Sequence, residues 1–211
     1  YRELKNAFGK VFADQKAEEW ISDLTIIMVL LLNSFHLIIG YFIYNKKASK
    51  LIMQISLKTM IEDAIIYADS EEINGFAVWL PFGFTGSKTL PFLANGGMSL
   101  ILHSGPGIIG RLLTYETYAM NLKKEFTDNY DWYLYNLSIR KDAQGKGIAS
   151  KLMRPMLQFC DDERMVVYLE TNKESNVGLY QHYGFELMKE EQIPKSTVTH
   201  YAMVRNPIGK E

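Results

Sequence analysis

The sequence predicts an α+β domain with a mixed, mostly antiparallel central sheet, flanking helices and extra helices at the N-terminus. Strand and helix patterns alternate regularly in the C-terminal part of the chain. The last predicted strands follow one another closely, which is typical of an antiparallel sheet end. The chain has 211 residues, of which 47% are hydrophobic and 22% charged. This composition indicates one globular domain over residues 1–211, with residues 1–60 mainly helical.

Two apolar patterns occupy the N-terminal part. Apolar residues at helical spacing predict a helix over Tyr1–Glu19. Leu24–Tyr44 contains no charged residue and approaches the length of about 20 residues that spans a bilayer. Asn33 and His36 lie in its middle, where lipid would tolerate them poorly. We therefore expect helices buried in a protein core, with a membrane anchor as the alternative.

The next segment predicts the first strands. Lys50–Asp69 has a helical pattern that runs into a short strand pattern at Ala64–Ala68. After a turn at Glu71–Gly75, a strand is predicted over Phe76–Leu80, ending at Pro81.

A glycine-rich stretch and a helix complete the first half. Gly83–Gly110 is predicted to be a mobile connector or an active-site rim, with a plain linker as the alternative. A helix is predicted from about Ile108 to Phe126.

The C-terminal elements are the most regular. Pro155 should kink the first helix of this part, and Gly184 should end the second as a C-cap. The predicted strands are Trp132–Ile139, Met165–Leu169, Phe185–Met188 and Thr197–Val204, and the predicted helices are Gly147–Phe159 and Ser175–Tyr183.

Charge and cysteine content exclude several classes of function. The net charge of −1 argues against a protein that coats nucleic acid. Because Cys160 is the only cysteine, an internal disulfide framework and a multi-cysteine zinc site are excluded. A reducing, cytoplasmic location is expected.

Gln144–Ala149 carries the most informative local pattern, a strand–GxG–helix junction. Two glycines let a ligand approach the backbone, and the free N–H groups of a helix start attract phosphate. The loop lacks the upstream glycine and the Ser/Thr of a Walker A motif, and a dinucleotide fingerprint fails at Ser150. Glu170 follows Ser150 at the distance of a ribose-binding acid, but too few residues remain for a complete Rossmann domain.

These residues resemble the GNAT superfamily of N-acetyltransferases. Gln144, Gly147 and Ala149 match its [QR]-x-x-G-x-[GA] motif after a long strand. A strand at Leu169–Thr171 is then followed by the family's second mark, namely Asn176, Tyr180, Gly184 and Phe185. Phe76–Pro81 looks like the VWLP strand of the puromycin N-acetyltransferase-like branch. The resemblance implies the GNAT acyl-CoA N-acyltransferase fold.

The resemblance also implies acetyl-CoA as cosubstrate, without a metal, bound by the half of the chain at residues 130–205. The pantetheine arm would pair with the end of the strand before the loop, the pyrophosphate would bind the loop N–H groups, and Asn176 would contact the cofactor. An N-terminal helix cap is the alternative role for Asn176. The implied cofactor-binding residues are Leu137, Ser138, Ile139, Gln144, Gly145, Lys146, Gly147, Ile148, Ala149, Ser150 and Asn176.

Two residues are predicted to carry the chemistry of direct amine attack on a thioester. Tyr180 is the candidate acid for the leaving thiolate, with packing or thioester binding as the alternative. Glu170 is the candidate base, with a surface carboxylate that caps the turn at Thr171–Asn172 as the alternative. Neither Cys160, expected to be inert, nor any histidine is assigned to the site; the histidines are His36, His103, His182 and His200. An aromatic acceptor wall is expected from Phe82, Phe84 and Phe92, whereas Trp79 is expected in the core.

The predicted function is acetylation of a primary amine of a small molecule, by a monomer or homodimer without nucleic-acid or membrane partners. Acetylation of a protein amine and a non-catalytic acetyl-CoA sensor are the alternatives. A basic cluster supports an anion site at the loop. Arg140, Lys141, Lys146, Lys151 and Arg154 oppose Asp142 alone, which gives +4 in this stretch and −5 in the rest of the chain.

Overall fold

A computed structural model describes residues 51, 54–56, 58, 63–83, 93–104, 106–126, 131–194 and 196–209. The predicted helices over Tyr1–Glu19 and Leu24–Tyr44 lie outside these residues. Within the described part of the chain, no helix is both long and apolar enough to cross a membrane.

The centre of the fold is a six-stranded sheet with the order β1-β2-β3-β4-β6-β5. β3 and β4 run parallel, and every other neighbouring pair is antiparallel. The predicted mixed, mostly antiparallel sheet of an α+β protein is therefore confirmed. The strands are β1 Ile65–Ala68, β2 Gly75–Pro81, β3 Trp132–Ile139, β4 Val167–Thr171, β5 Glu186–Gln192 and β6 Thr199–Arg205.

Helices lie on both faces of this sheet. One face packs a large buried cluster that includes Leu152 and Met156 of α3 and Tyr180 of α4. On the opposite face, Leu122 of α2 packs against Tyr168 of β4 in a smaller cluster. The helices are α1 Met98–Ser104, α2 Pro106–Phe126, α3 Ile148–Asp162 and α4 Glu174–His182.

Most predicted elements occur with shifted ends, and two predictions are wrong in part. Within the glycine-rich stretch, the described residues 93–104 and 106–110 are helical apart from a kink at Gly96, so this part is not a plain connector. α3 contains Pro155 and ends at Asp162 instead of Phe159, with its buried residues continuing to Cys160.

A β-bulge changes the course of β3. Leu134 pairs with Trp79 and Asn136 with Val78, so Tyr135 is the residue that the bulge adds to β3. Without the bulge, strict alternation would turn Leu137 away from the α3 face. With it, Leu134 and Leu137 both pack in the same apolar cluster.

A buried ion pair holds the ends of α3 and α4 to β6. Arg205 binds Asp161 through two hydrogen bonds of 2.8 and 2.7 Å and also donates to the carbonyl of Tyr183 at 2.9 Å. A bidentate pair of this kind fixes direction as well as distance. It therefore helps to orient α4, which carries Tyr180. Gly184 follows α4 with φ +85, as expected for a helix C-cap.

Gly75 lies at a close approach of β2 to the start of α3. A Cβ atom at this position would lie 2.8 Å from Ile148 Cγ2 and 3.0 Å from the Ser138 carbonyl oxygen. We expect Gly75→Ala to lower the free energy of unfolding by about 1–3 kcal/mol, the usual cost of overpacking. Urea denaturation measures this change.

Gly178→Ala is the matched control, because nothing lies within 4 Å of an added Cβ atom in α4. This substitution should be neutral or stabilising by up to about 1 kcal/mol, as expected for alanine in a helix. Equal stabilities of the two variants would contradict the close packing at Gly75.

Candidate active site

β3 and β4 separate at one end of the sheet. Their pairing runs from Trp132–Val167 only as far as Leu134–Leu169. Beyond this point, β3 continues to Ile139 alongside β2, whereas β4 ends at Thr171. We call the space between residues 135–139 and residues 170–171 the strand gap.

The backbone of β3 offers hydrogen-bonding groups to the strand gap. Arg140 N–H donates to the Asn74 carbonyl on the β2 side at 2.8 Å. Because such bonds fall on alternate residues of an antiparallel pair, Ser138 also bonds β2, and Leu137 and Ile139 turn their groups towards β4. The Ile139 carbonyl accepts a hydrogen bond from the Gln144 side chain at 3.3 Å. An extended ligand could therefore pair with the remaining groups of Leu137 and Ile139.

The glycine loop, Gln144–Ser150, lies beside this gap and starts α3. Gly145 and Gly147 both have φ +77, which side chains disfavour, and nothing within 4 Å would meet a Cβ at either. No side chain caps the N-terminus of α3. The first N–H groups of this 15-residue helix therefore remain available to an anion.

The basic cluster surrounds the glycine loop. Lys146, Lys151 and Arg154 are exposed, and Lys151 Nζ donates to the backbone carbonyl of Asp69. Arg140 is paired with Asp142 through hydrogen bonds of 3.2 and 2.9 Å, so it contributes little net charge. Most of the positive potential then comes from residues on the loop and on α3.

Glu170 directly follows Leu169, the last residue of β4 that pairs with β3. Its side chain is only 7% exposed, so the alternative of a surface carboxylate is wrong. Glu170 Oε1 accepts a hydrogen bond from Tyr168 at 2.8 Å, and Oε2 accepts one from Tyr133 at 3.5 Å. Burial raises the pKa of Glu170, although Lys123 and the two hydroxyls oppose this shift. A buried carboxyl with a raised pKa is suited to take up a proton.

Tyr180 lies on the other face of the sheet. It is 7% exposed and belongs to the same buried cluster as Leu134 and Leu169, the residues at which strand pairing stops. Burial raises the pKa of Tyr180 to about 12, so its hydroxyl is protonated at neutral pH. Among the described residues, none hydrogen-bonds this hydroxyl.

Other predicted residues support the site or lie apart from it. Asn176 donates to Thr171 Oγ1 at 3.2 Å, and because α4 starts after Lys173, the alternative of a helix cap at Asn176 is wrong. Ser150 Oγ lies 2.8 Å from the Tyr183 hydroxyl and so connects the loop with the end of α4.

The aromatic and cysteine expectations have mixed outcomes. Trp79 is completely buried in the core, as expected. Phe82 is 60% exposed, while Phe84 and Phe92 lie outside the described residues. Cys160 is buried, and burial raises its pKa to about 12, which makes a thiolate unfavourable.

Sequence reasoning missed His200. Its side chain is fully buried, and Nε2 lies 3.7 Å from Glu170 Oε2. The two residues are far apart in sequence, and they meet because β4 pairs with β6, where Glu170 is opposite Ala202. The available signal was the place of His200 within a predicted strand, where a side chain can be buried. That signal could not identify Glu170 as its neighbour. Within the described part of the chain, no group of His, Cys, Asp and Glu residues has the arrangement of a metal site.

Comparison with known proteins relates part of this chain to acetyltransferases. The family model of the acetyltransferase (GNAT) domain matches residues 105–187, which include β3, the glycine loop and α4. An uncharacterized N-acetyltransferase of Schizosaccharomyces pombe is 38% identical over 58 residues. This match spans 28% of the chain and about a quarter, 24%, of that protein.

Solved structures share the fold over most of the chain. A crystal structure described as histone acetyltransferase HPA2 and related acetyltransferase from Corynebacterium glutamicum superposes with a TM-score of 0.57 at 17% identity, covering 94% of this chain and 95% of that one. Arylalkylamine N-acetyltransferase 2 from Aedes aegypti gives a TM-score of 0.52 at 19% identity, covering 90% and 95%. Residues 105–187 thus match a GNAT acetyltransferase domain, and the chain shares its fold with solved acetyltransferase structures. Assignment to the puromycin N-acetyltransferase-like branch stays a prediction.

Proposed function

We propose that the protein is an acetyl-CoA-dependent N-acetyltransferase acting on a primary amine of a small molecule. The strand gap carries this proposal, because it combines free strand backbone, an uncapped helix start and a buried carboxylate at one end of the sheet. The match of residues 105–187 to the GNAT acetyltransferase domain supports acetyl transfer as the reaction. The net charge of −1 and the tyrosines near Glu170 favour a small molecule over a basic protein surface.

The residues present fit acetyl-CoA as cosubstrate. The backbone of Leu137 and Ile139 would pair with the extended pantetheine arm, as a further strand would. The N–H groups from Gly145 to Ser150 would bind the pyrophosphate, and the exposed lysines and arginine would add charge. Bound acetyl-CoA supplies the acetyl thioester.

In the mechanism, Glu170 and Tyr180 handle two separate protons. Glu170 takes the proton of the incoming ammonium, which frees the amine to form the C–N bond. Backbone N–H groups beside the strand gap stabilise the negative carbonyl oxygen. As the C–S bond breaks, the Tyr180 hydroxyl donates its proton to the leaving sulfur, and the second proton that the amine nitrogen loses on becoming an amide restores the Tyr180 hydroxyl. The opposite sheet faces of the two residues keep the base and the acid apart.

Release of free thiol from acetyl-CoA in the presence of an amine panel tests this function. We expect turnover by the wild type, and a fall in kcat of about a hundredfold in Tyr180→Phe, the lower end of the usual range for an acid catalyst. The KM for acetyl-CoA should change little, because the ring remains in place.

Tyr67→Phe is the matched control, since Tyr67 is a partly buried tyrosine on β1, away from β4. It should retain wild-type kcat. An unchanged kcat in Tyr180→Phe would contradict the acid role. Binding of acetyl-CoA without thiol release from any amine would favour the sensor.

The basic cluster should contribute to cofactor affinity. We expect Lys146→Glu with Arg154→Glu to weaken acetyl-CoA binding by about tenfold at low salt, as expected for two partly screened charges near the phosphates. The loss should shrink at high salt. Calorimetric titration at two salt concentrations measures both effects.

The control pair, Lys58→Glu with Lys124→Glu, makes the same change of net charge at exposed positions outside the glycine loop and α3. If both double variants bind acetyl-CoA with equal affinity, the cluster has no specific role.

A further inference from the structure

The orientation of the Asn172 amide is set by a backbone carbonyl. Asn172 Nδ2 lies 3.2 Å from the Thr199 carbonyl oxygen and 3.2 Å from His200 Nδ1. A carbonyl oxygen can only accept a hydrogen bond, so the amide nitrogen, not the amide oxygen, must occupy this position. The same nitrogen then donates to His200 Nδ1.

This contact determines the tautomer of His200. Burial lowers the pKa of His200 to about 4, so the imidazole is neutral at neutral pH. In a neutral imidazole, one ring nitrogen accepts and the other carries the proton. Since Nδ1 accepts from Asn172, the proton lies on Nε2, which is 3.7 Å from Glu170 Oε2.

We infer that His200 is a positioning residue for Glu170, which holds its Nε2–H towards the carboxylate in a tautomer imposed by Asn172. The inference rests on the proposed function, in which Glu170 takes up the ammonium proton. His200 in this tautomer cannot accept a proton at Nε2, so it does not relay the proton from Glu170. Its effect is to favour the ionised carboxylate, which is the form that a base requires.

The Glu170 carboxylate also has other polar neighbours, which lie on β3, β4 and α2. Tyr168 on β4 and Tyr133 on β3 donate to it, and Lys123 on α2 adds a positive charge. Beyond His200, Tyr118 packs edge-on against the imidazole and donates to Glu191 of β5 at 3.2 Å. Lys123 and the hydroxyls of Tyr168 and Tyr133 lower the pKa of Glu170 against the effect of burial. Removing one of them should therefore raise the pKa of Glu170.

The tautomer is measured without turnover by long-range ¹⁵N–¹H NMR of labelled protein at neutral pH. We expect the His200 signals of an Nε2–H imidazole. Asn172→Asp should invert them, because a carboxylate accepts where the amide donated. An Nδ1–H imidazole in the wild type would overturn the inference, whatever the outcome of any activity assay.

The consequence for Glu170 is measured by the pH profile of kcat/KM. His200→Phe should shift the acidic limb upward by about one pH unit, since a dipole directed at the carboxylate is lost. His200→Gln keeps an N–H group of similar reach and should restore most of the wild-type profile. Asn172→Asp should shift the limb in the same direction as His200→Phe.

A purely structural role would lower activity equally at all pH values. The inference is overturned if the acidic limb of Asn172→Asp lies at the same pH as the limbs of the wild type and His200→Gln. This outcome is decisive even if His200→Phe fails to fold. The proposed function can fail on its own. This is the case if Glu170→Gln retains wild-type turnover although NMR finds the inferred tautomer of His200.

Discussion

The parallel pairing of β3 with β4 stops at Leu134 and Leu169, and the site depends on this limit. A continued ladder would satisfy the backbone groups of Leu137 and Ile139 and would leave no space for an extended ligand. The bulge at Tyr135 accompanies the separation and keeps Leu137 in the apolar core after the change of register. The sheet thus opens while Leu137 stays packed, partly buried, against the apolar cluster.

Packing around this opening positions the three functional parts of the site, which are the glycine loop, Tyr180 and Glu170. Gly75 allows β2 to approach the first turn of α3, so the glycine loop begins next to the end of β3. The pair of Arg205 with Asp161 holds the ends of α3 and α4, and thereby the helix of Tyr180. On the opposite face, α2 covers Glu170 and supplies Lys123 as its charge partner. A buried carboxylate is tolerated there because donors and a cation surround it.

Local patterns in the sequence predicted the elements that depend on local physics. Alternation predicted β3 with its observed ends at Trp132 and Ile139, and the glycine pair predicted the start of α3. The kind of site also followed from local spacing, since the loop precedes a helix. Long-range pairing could not be predicted in this way. The burial of Glu170 and its contact with His200 arise from the antiparallel pairing of β4 with β6, and spacing within one segment carries no information about it.

Amide hydrogen exchange on ¹⁵N-labelled protein tests most directly whether the strand gap is the cofactor site. With saturating coenzyme A, the N–H groups of Leu137 and Ile139 should exchange at least about tenfold more slowly, because they gain hydrogen-bond partners. The N–H of Ser138, which faces β2, should change little. Equal exchange rates at Leu137 and Ile139 with and without coenzyme A would contradict the account.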